Sequence, residues 1–294
     1  MSQSNFSERM GTESLKRLFF SYIVDKLRAR CGYQIPPMGP LLFRAIYSLA
    51  PRTADVEIFR NIFISADFSD NTFKSTYWQG KRFEGYATNR ILSWLQSTSD
   101  SAFFDIGANY GFFSLYVHCH SPSTTIFPFE PNPLSFRRIL DARERNSLLR
   151  LYPQAIGLSD QTTKLLLHHG SGDLGHSTFG EHPELLHTAR TSVDVMPFDD
   201  WIKRPHICSL TSNRLWVAKI DVEGFEVQVL NGMRDSLKHR RFRGIMVEIN
   251  PYTLNFSGSK PDHIYDILTN SGYKPLVKDC VTGICGNQYF EPQD

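Results

Sequence analysis

From residue 102 onward, short apolar runs of strand composition take turns with amphipathic runs of helical length. AFFDI (102–106) and TTIFPFE (124–130) read as buried strands, and GFFSLYVHC (111–119) and PLSFRRILDARERNSL (133–148) as helices. LRLYPQAIG (149–157) holds a third strand. LWVAKID (215–221), RGIMVEI (243–249) and YKPLVKD (273–279) continue the strands, helical runs at 224–237 and 261–272 separate them, and ICGNQYF (284–290) closes the series. Alternation of this kind predicts a largely parallel α/β sheet with helices on both faces. In such sheets ligands bind beyond the carboxyl ends of the strands, so functional residues are expected at the last positions of each strand.

Asp105 and Gly107 end the first strand in D-I-G-A-N-Y-G, and Glu130 ends the second, 25 residues after Asp105. Gly107 and Gly111 let the chain turn tightly and bring backbone N–H groups close to a ligand. An acid placed as Glu130 is can accept two hydrogen bonds from a ribose diol. Asn109 stands where G-x-G-x-x-G has its second glycine, and there is no G-x-x-x-x-G-K-[ST] run, which excludes a P-loop. An acid before the turn and no lysine within it suit a cationic, phosphate-free ligand, and S-adenosylmethionine fits. The expected cofactor contacts are Asp105, Gly107, Ala108, Asn109, Gly111, Glu130, Pro131 and Asn132, with Ala155 and Ile156 at the end of the third strand.

Three stretches taken together, DIGANYGFFS (105–114), FEPNP (129–133) and KIDVEGFEVQVLNG (219–232), resemble the FkbM-type family of S-adenosylmethionine-dependent methyltransferases. The resemblance runs from about residue 59 to residue 289 and includes Phe83 and Glu84 ahead of the first strand. It implies a class I methyltransferase (Rossmann-like) fold, a seven-stranded sheet whose last strand is antiparallel. It also implies O-methylation of hydroxyls on sugars, polyketides or related natural products, and a carbohydrate or glycolipid precursor is the acceptor expected here. Residues 1–58 then form an N-terminal helical extension and residues 59–294 the methyltransferase domain.

Methyl transfer to an alcohol needs alignment, exclusion of water and a place for the acceptor's proton. Asp221 ends the fourth strand, and Glu223 points to the same side if the strand persists that far. Glu248 ends the next strand and should be a neighbour. Three converging carboxylates suit a general base, contacts to sugar hydroxyls, or a divalent cation; the bland alternative is solvated acids at helix starts, Glu223 above all. Between the third and fourth strands the chain detours over about residues 158–213. There KLLLHH (164–169) and RTSVDVM (190–196) are expected to pair as strands, flanking a histidine-rich insertion (168–187). No histidine pair there has the HExxH arrangement or a neighbouring cysteine pair, so no metal site is expected; a lid is the functional alternative, with His176 as its candidate catalytic residue.

A net charge of +2 on 294 residues does not argue for nucleic acid, and KHRRFR (238–243) fits the cationic end of a helix. Five scattered cysteines read as reduced thiols. MSQSNFSERM lacks the order of a signal peptide and no apolar run reaches bilayer length, so a cytoplasmic protein is expected. Residues 13–30 carry a basic amphipathic stripe that packs on the protein's own core or touches a membrane surface. IFRNIFISADF (58–68) has strand composition, and a helix is expected near 87–96. N-methylation of protein or RNA is the alternative enzyme reading, but NPY (250–252) follows the fifth strand where the amine-methylating motif follows the fourth. A partner-binding module built on a methyltransferase-like fold is the alternative outside enzymology.

Overall fold

The computed structural model describes residues 24, 26, 53–79, 84–170, 177–180, 189–276 and 286–293. Almost all of the 13–30 stripe and His176 therefore lie outside the described residues. The chain divides into two compact units, Met1–Gly85 and Tyr86–Asp294.

In the first unit, β1 (Thr53–Phe59) and β2 (Ile62–Asp67) form an antiparallel hairpin with Val56 opposite Ile64. The strand-like run 58–68 thus contains a turn. Asn61 takes the left-handed conformation that asparagine tolerates (φ 60°), and its N–H donates to Glu57 Oε1. Asp70 caps α1 (Asn71–Gln79) by accepting from Phe73 N, and Phe68, Phe73 and Tyr77 pack their rings together.

The second unit holds α2 (Gly85–Leu95) from its second residue on, then β3 (Ser101–Ile106), α3 (Phe112–His120), β4 (Thr125–Phe129) and α4 (Pro133–Arg145). A detour follows: β5 (Gly157–Leu158), β6 (Thr163–His168), β7 (Arg190–Met196), α5 (Phe198–Trp201) and α6 (Pro205–Thr211). The main alternation resumes with β8 (Leu215–Ile220), α7 (Glu226–Asn231), α8 (Arg234–Lys238) and β9 (Phe242–Ile249). Last come α9 (Pro251–Phe256), α10 (Pro261–Asn270), β10 (Tyr273–Pro275) and β11 (Gly286–Pro292). The main sheet has the order β10-β11-β9-β8-β3-β4. The β3, β4, β8 and β9 neighbours run parallel and β11 runs antiparallel to both its neighbours, as expected for the last strand.

Side chains alternate between the faces of β3. Phe104 packs into an aromatic cluster with Phe127, Phe198, Trp201, Trp216 and Phe242, backed by α5, α7 and α10 residues such as Leu230 and Leu268. Asp105 points to the other face, toward α3, where it meets Ser114.

Six strands stand where seven were expected. The seventh position, beside β4, is occupied by residues 150–154, which are tied on by Ile126 N→Arg150 O, Tyr152 N→Ile126 O, Gln154 N→Pro128 O and Glu130 N→Gln154 O. A parallel ladder would next take a donor from residue 128 to Tyr152 O, but Pro128 has no N–H. The rung is lost and only isolated bridges remain, while Gln154 Nε2 donates to Tyr152 O in its place.

The detour forms its own three-stranded sheet, and β6 and β7 pair antiparallel from Thr163↔Val195 to His168↔Arg190, as expected. The single helix expected over 224–237 is broken at Gly232, where a Cβ would overlap the Ser159 carbonyl oxygen. Among the described residues no helix is long and apolar enough to cross a membrane.

Candidate active site

β3 sits between β4 and β8, so the chain leaves β3 to one side first and returns on the other. This is the switch point at which open α/β sheets leave a crevice above the strand ends. A glycine turn fills the lip of the crevice. Gly107, Asn109 and Gly111 all have positive φ (76°, 51° and 77°), and the N–H groups of Gly107 and Ala108 both donate to Phe129 O. Gly107 is the tightest point, because a Cβ there would meet the Asp221 carbonyl. Asparagine is among the few residues that tolerate this backbone, so Asn109 can replace a glycine here.

Glu130 follows β4 and is 7% exposed. Its Oε2 accepts from Asn109 N (2.7 Å) and its Oε1 from Asn132 N (2.8 Å), so the turn and the start of α4 fix its rotamer. Each oxygen keeps a lone pair, which suits two hydroxyls of a cis-diol. Burial pushes its carboxyl up to about 7 against the pull of those two N–H donors. Asn132 is fully buried; its Oδ1 caps α4 through Leu134 N, and its Nδ2 donates to Ser177 Oγ (3.1 Å) and His169 Nδ1 (3.3 Å). It therefore braces the site against the detour. Pro131 is half-buried beside it, and at the end of the bridged segment Ala155 is exposed and Ile156 half-buried.

Asp105 is fully buried. Its Oδ2 accepts from the N–H and hydroxyl of Ser114, and its Oδ1 faces Lys219 Nζ at 3.7 Å. Burial raises its pKa, opposed by Lys219 and Ser114. With both oxygens turned inward, Asp105 shapes the turn from beneath. Lys219 lies opposite it in the β3–β8 register and is 3% exposed. Its ammonium donates to Gly107 O (2.8 Å), pairs with Asp221 Oδ2 (3.1 Å) and lies over the Phe113 ring. Burial alone would lower its pKa, but Asp221 and Asp105 outweigh that and hold it above the ordinary lysine value.

Asp221, Glu223 and Glu248 offer carboxylate oxygens that all lie within 4.8 Å of one another, an arrangement with the donor chemistry to hold a hard cation. Glu223 joins the other two without the expected strand alternation: β8 ends at Ile220, and Glu223 is reached through a turn with φ 53°. Glu226 builds that turn, its Oε1 accepting from Val222 N and Gly224 N. Gly224 abuts the Thr253 carbonyl of α9, and Ser257 Oγ donates to Gly224 O. The charge of Asp221, then burial and a hydrogen bond to Asp221, raise the pKa of Glu248, so a proton shared between the two carboxyls is favoured.

Sequence reasoning passed over Lys219, Glu226 and Ser114. Only Lys219 had a readable signal, since it precedes Asp221 by two residues and so shares its face of β8. From the histidine-rich insertion, Thr178 Oγ1 donates to Glu223 O (2.7 Å) and Phe179 packs on Phe225, so the described residues 177–180 reach the acidic turn. NPY is a helix cap: Asn250 Oδ1 accepts from Tyr252 N. Two cations of KHRRFR are likewise structural, Arg241 over the Trp216 ring and Arg243 paired with Glu291.

Residues 105–275 match the family model described as the methyltransferase FkbM domain. "Methyltransferase 1" of Beauveria bassiana is 29% identical over 153 residues, covering 46% of this chain and 59% of that protein. "Hexuronic acid methyltransferase AglP" of Haloferax volcanii is 28% identical over 177 residues, covering 60% of this chain and 64% of that protein. The match thus spans about three fifths of the length of each relative. Among solved structures, TYW2 of M. jannaschii in complex with AdoMet is 10% identical with a TM-score of 0.42, covering 83% of this chain and 88% of that one.

Proposed function

Because the chain belongs to the FkbM methyltransferase family, we propose that it transfers a methyl group from S-adenosylmethionine to a hydroxyl of a carbohydrate acceptor. When bound, the cofactor supplies an electrophilic methyl on a sulfonium. Glu130 would take the ribose diol, the 107–111 turn the amino-acid end, and Ala155 and Ile156 would line the adenine side. We take residues 59–294 as the unit that does this.

The observation that carries the acceptor assignment is the acid cluster at the ends of β8 and β9. Asp221 is held by Lys219 on one side and on the other borders Glu248, whose pKa its charge raises. In this reading Asp221 takes the proton that an attacking hydroxyl must lose, and Glu248 and Glu223 orient neighbouring hydroxyls. The hexuronic acid methyltransferase among the relatives supports a sugar acceptor. We favour a direct base over a divalent cation at Asp221, because the Lys219 ammonium already engages Asp221 Oδ2.

Calorimetry with S-adenosylmethionine and S-adenosylhomocysteine tests the cofactor. Glu130→Ala should weaken both by about 1.5–3 kcal/mol, the worth of hydrogen bonds to a charged group. Wild-type affinity should fall as the pH drops from 8 to 6, because Glu130 gains a proton near 7 and loses acceptor capacity. Acceptors are then sought by mass spectrometry on a panel of neutral sugars and hexuronic acids. No binding of either adenosyl ligand would leave the partner-binding reading standing instead.

A further inference from the structure

Lys219 takes no part in holding ribose or in moving the acceptor's proton, yet it is a lysine with 3% exposure at the centre of the site. Fully buried lysines are rare and need partners. Replacing a buried ion pair by apolar residues of similar size is often neutral or stabilising, so stability alone gives little reason to keep one. Two geometric facts bear on what it does. The β3–β8 register places Lys219 directly across from Asp105, and strand alternation puts Asp221 on the same face. The ammonium therefore sits between two carboxylates, 3.1 Å from Asp221 Oδ2 and 3.7 Å from Asp105 Oδ1, while it donates to the carbonyl of Gly107. Asp105 Oδ1 has no hydrogen-bond donor of its own and faces this cation.

We propose that Lys219 is a positioning residue that fixes the glycine turn against Asp221 and offsets part of the carboxylate charge there. By doing so it sets how strongly the site prefers a sulfonium ligand over the neutral sulfide left after transfer. The inference rests on the reading of the glycine turn as an adenosyl site. S-adenosylmethionine carries one positive charge more than S-adenosylhomocysteine, so their affinity ratio reports the local charge and is insensitive to damage that weakens both alike. Asp105, Lys219 and Asp221 together carry −1 (two carboxylates, one ammonium). Asp105→Asn makes this 0 and the double variant restores −1, whereas Lys219→Met leaves buried Asp105 without its cation and lies between −1 and −2 according to how far Asp105 takes up a proton.

The experiment is calorimetry of both ligands at pH 8 on the full chain and the three variants. Preference for S-adenosylmethionine should be equal within about twofold in wild type and the double variant, at least as great in Lys219→Met, and least in Asp105→Asn. The drop from wild type to Asp105→Asn should be roughly three- to thirty-fold, as for a unit charge several ångströms away in a half-polar medium. If Lys219→Met does not fold, the double variant and Asp105→Asn still give the order. The same ratio in every folded variant overturns the inference while leaving the adenosyl reading intact. Wild-type protein that binds neither ligand removes the adenosyl reading and the inference with it.

Discussion

A Cβ on Gly107 would overlap the carbonyl oxygen of Asp221, so the glycine turn and the acidic strand end touch backbone to backbone. A side chain cannot be accommodated by a rotamer change when its obstacle is main chain, and the parallel pairing of β3 with β8 prevents either partner from retreating. The two halves of the proposed site, cofactor side and acceptor side, therefore share one rigid contact.

Gly107→Ala tests that contact. It combines a left-handed φ of 76° with the collision, and should cost more than about 4 kcal/mol, the range reserved for disrupted backbone or core. Gly258→Ala is the control, since Gly258 also has a left-handed φ (70°) but nothing lies within 4 Å of its missing Cβ. That change should cost only about 1–2 kcal/mol, the penalty of the conformation itself. Thermal melts of both variants decide the matter; a Gly107→Ala protein that melts with the control would mean the contact yields.

Glu226 offers a pH-dependent prediction. It is 2% exposed, its Oε2 has no hydrogen-bond partner, and burial pushes its carboxyl from 4.5 up to about 7. Between those values the folded state holds a proton that the unfolded chain has released. The group's contribution to stability is therefore present in full below pH 4.5 and is lost as the pH rises through about 7. Glu226→Gln keeps an oxygen for Val222 N and Gly224 N but cannot ionise. Relative to wild type it should gain stability from pH 4.5 to pH 8, by on the order of 3 kcal/mol. Urea denaturation at several pH values measures the slope. A difference that stays flat with pH would show that Glu226 ionises as easily folded as unfolded.

The parallel core was legible because strands buried along their length carry mostly apolar residues, as four of the six positions of β3 do. The glycine turn and Glu130 were legible because strand ends are where such sheets bind ligands. Pairing is what local pattern does not reveal. Pro128 is plain in TIFPF, but only the register against residues 150–154 shows that it falls on a donor rung and dissolves the seventh strand. Lys219 reads as a flanking residue of KIDVEG until β3 and β8 lie side by side and bring Asp105 across from it. Glu223 was placed near Asp221 by strand alternation, whereas a turn pinned by Glu226 puts it there.

Asp221 and Glu248 are neighbours with different expected roles, and this separates the mechanisms. With the sugar that scores in the acceptor panel, Asp221→Asn should lower kcat by about 10²–10⁴, the usual worth of a general base. Cofactor affinity should change far less, because the proposed reading assigns that binding to Glu130 and the turn. The charge of Asp221 raises the pKa of Glu248; in the proposed reading the proton of the pair rests on Glu248, and the neutral amide of Glu248→Gln resembles that state. That variant should stay within about tenfold of wild type, well short of the loss of a general base. A divalent cation held by the three acids predicts otherwise: an amide is a poor substitute for a carboxylate ligand, so both variants should fail alike. Wild-type activity would then also vanish with EDTA and return with Mg²⁺. Chelator-insensitive turnover together with a mild Glu248→Gln would leave Asp221 as the base, whereas a fully active Asp221→Asn would move that role to Glu223.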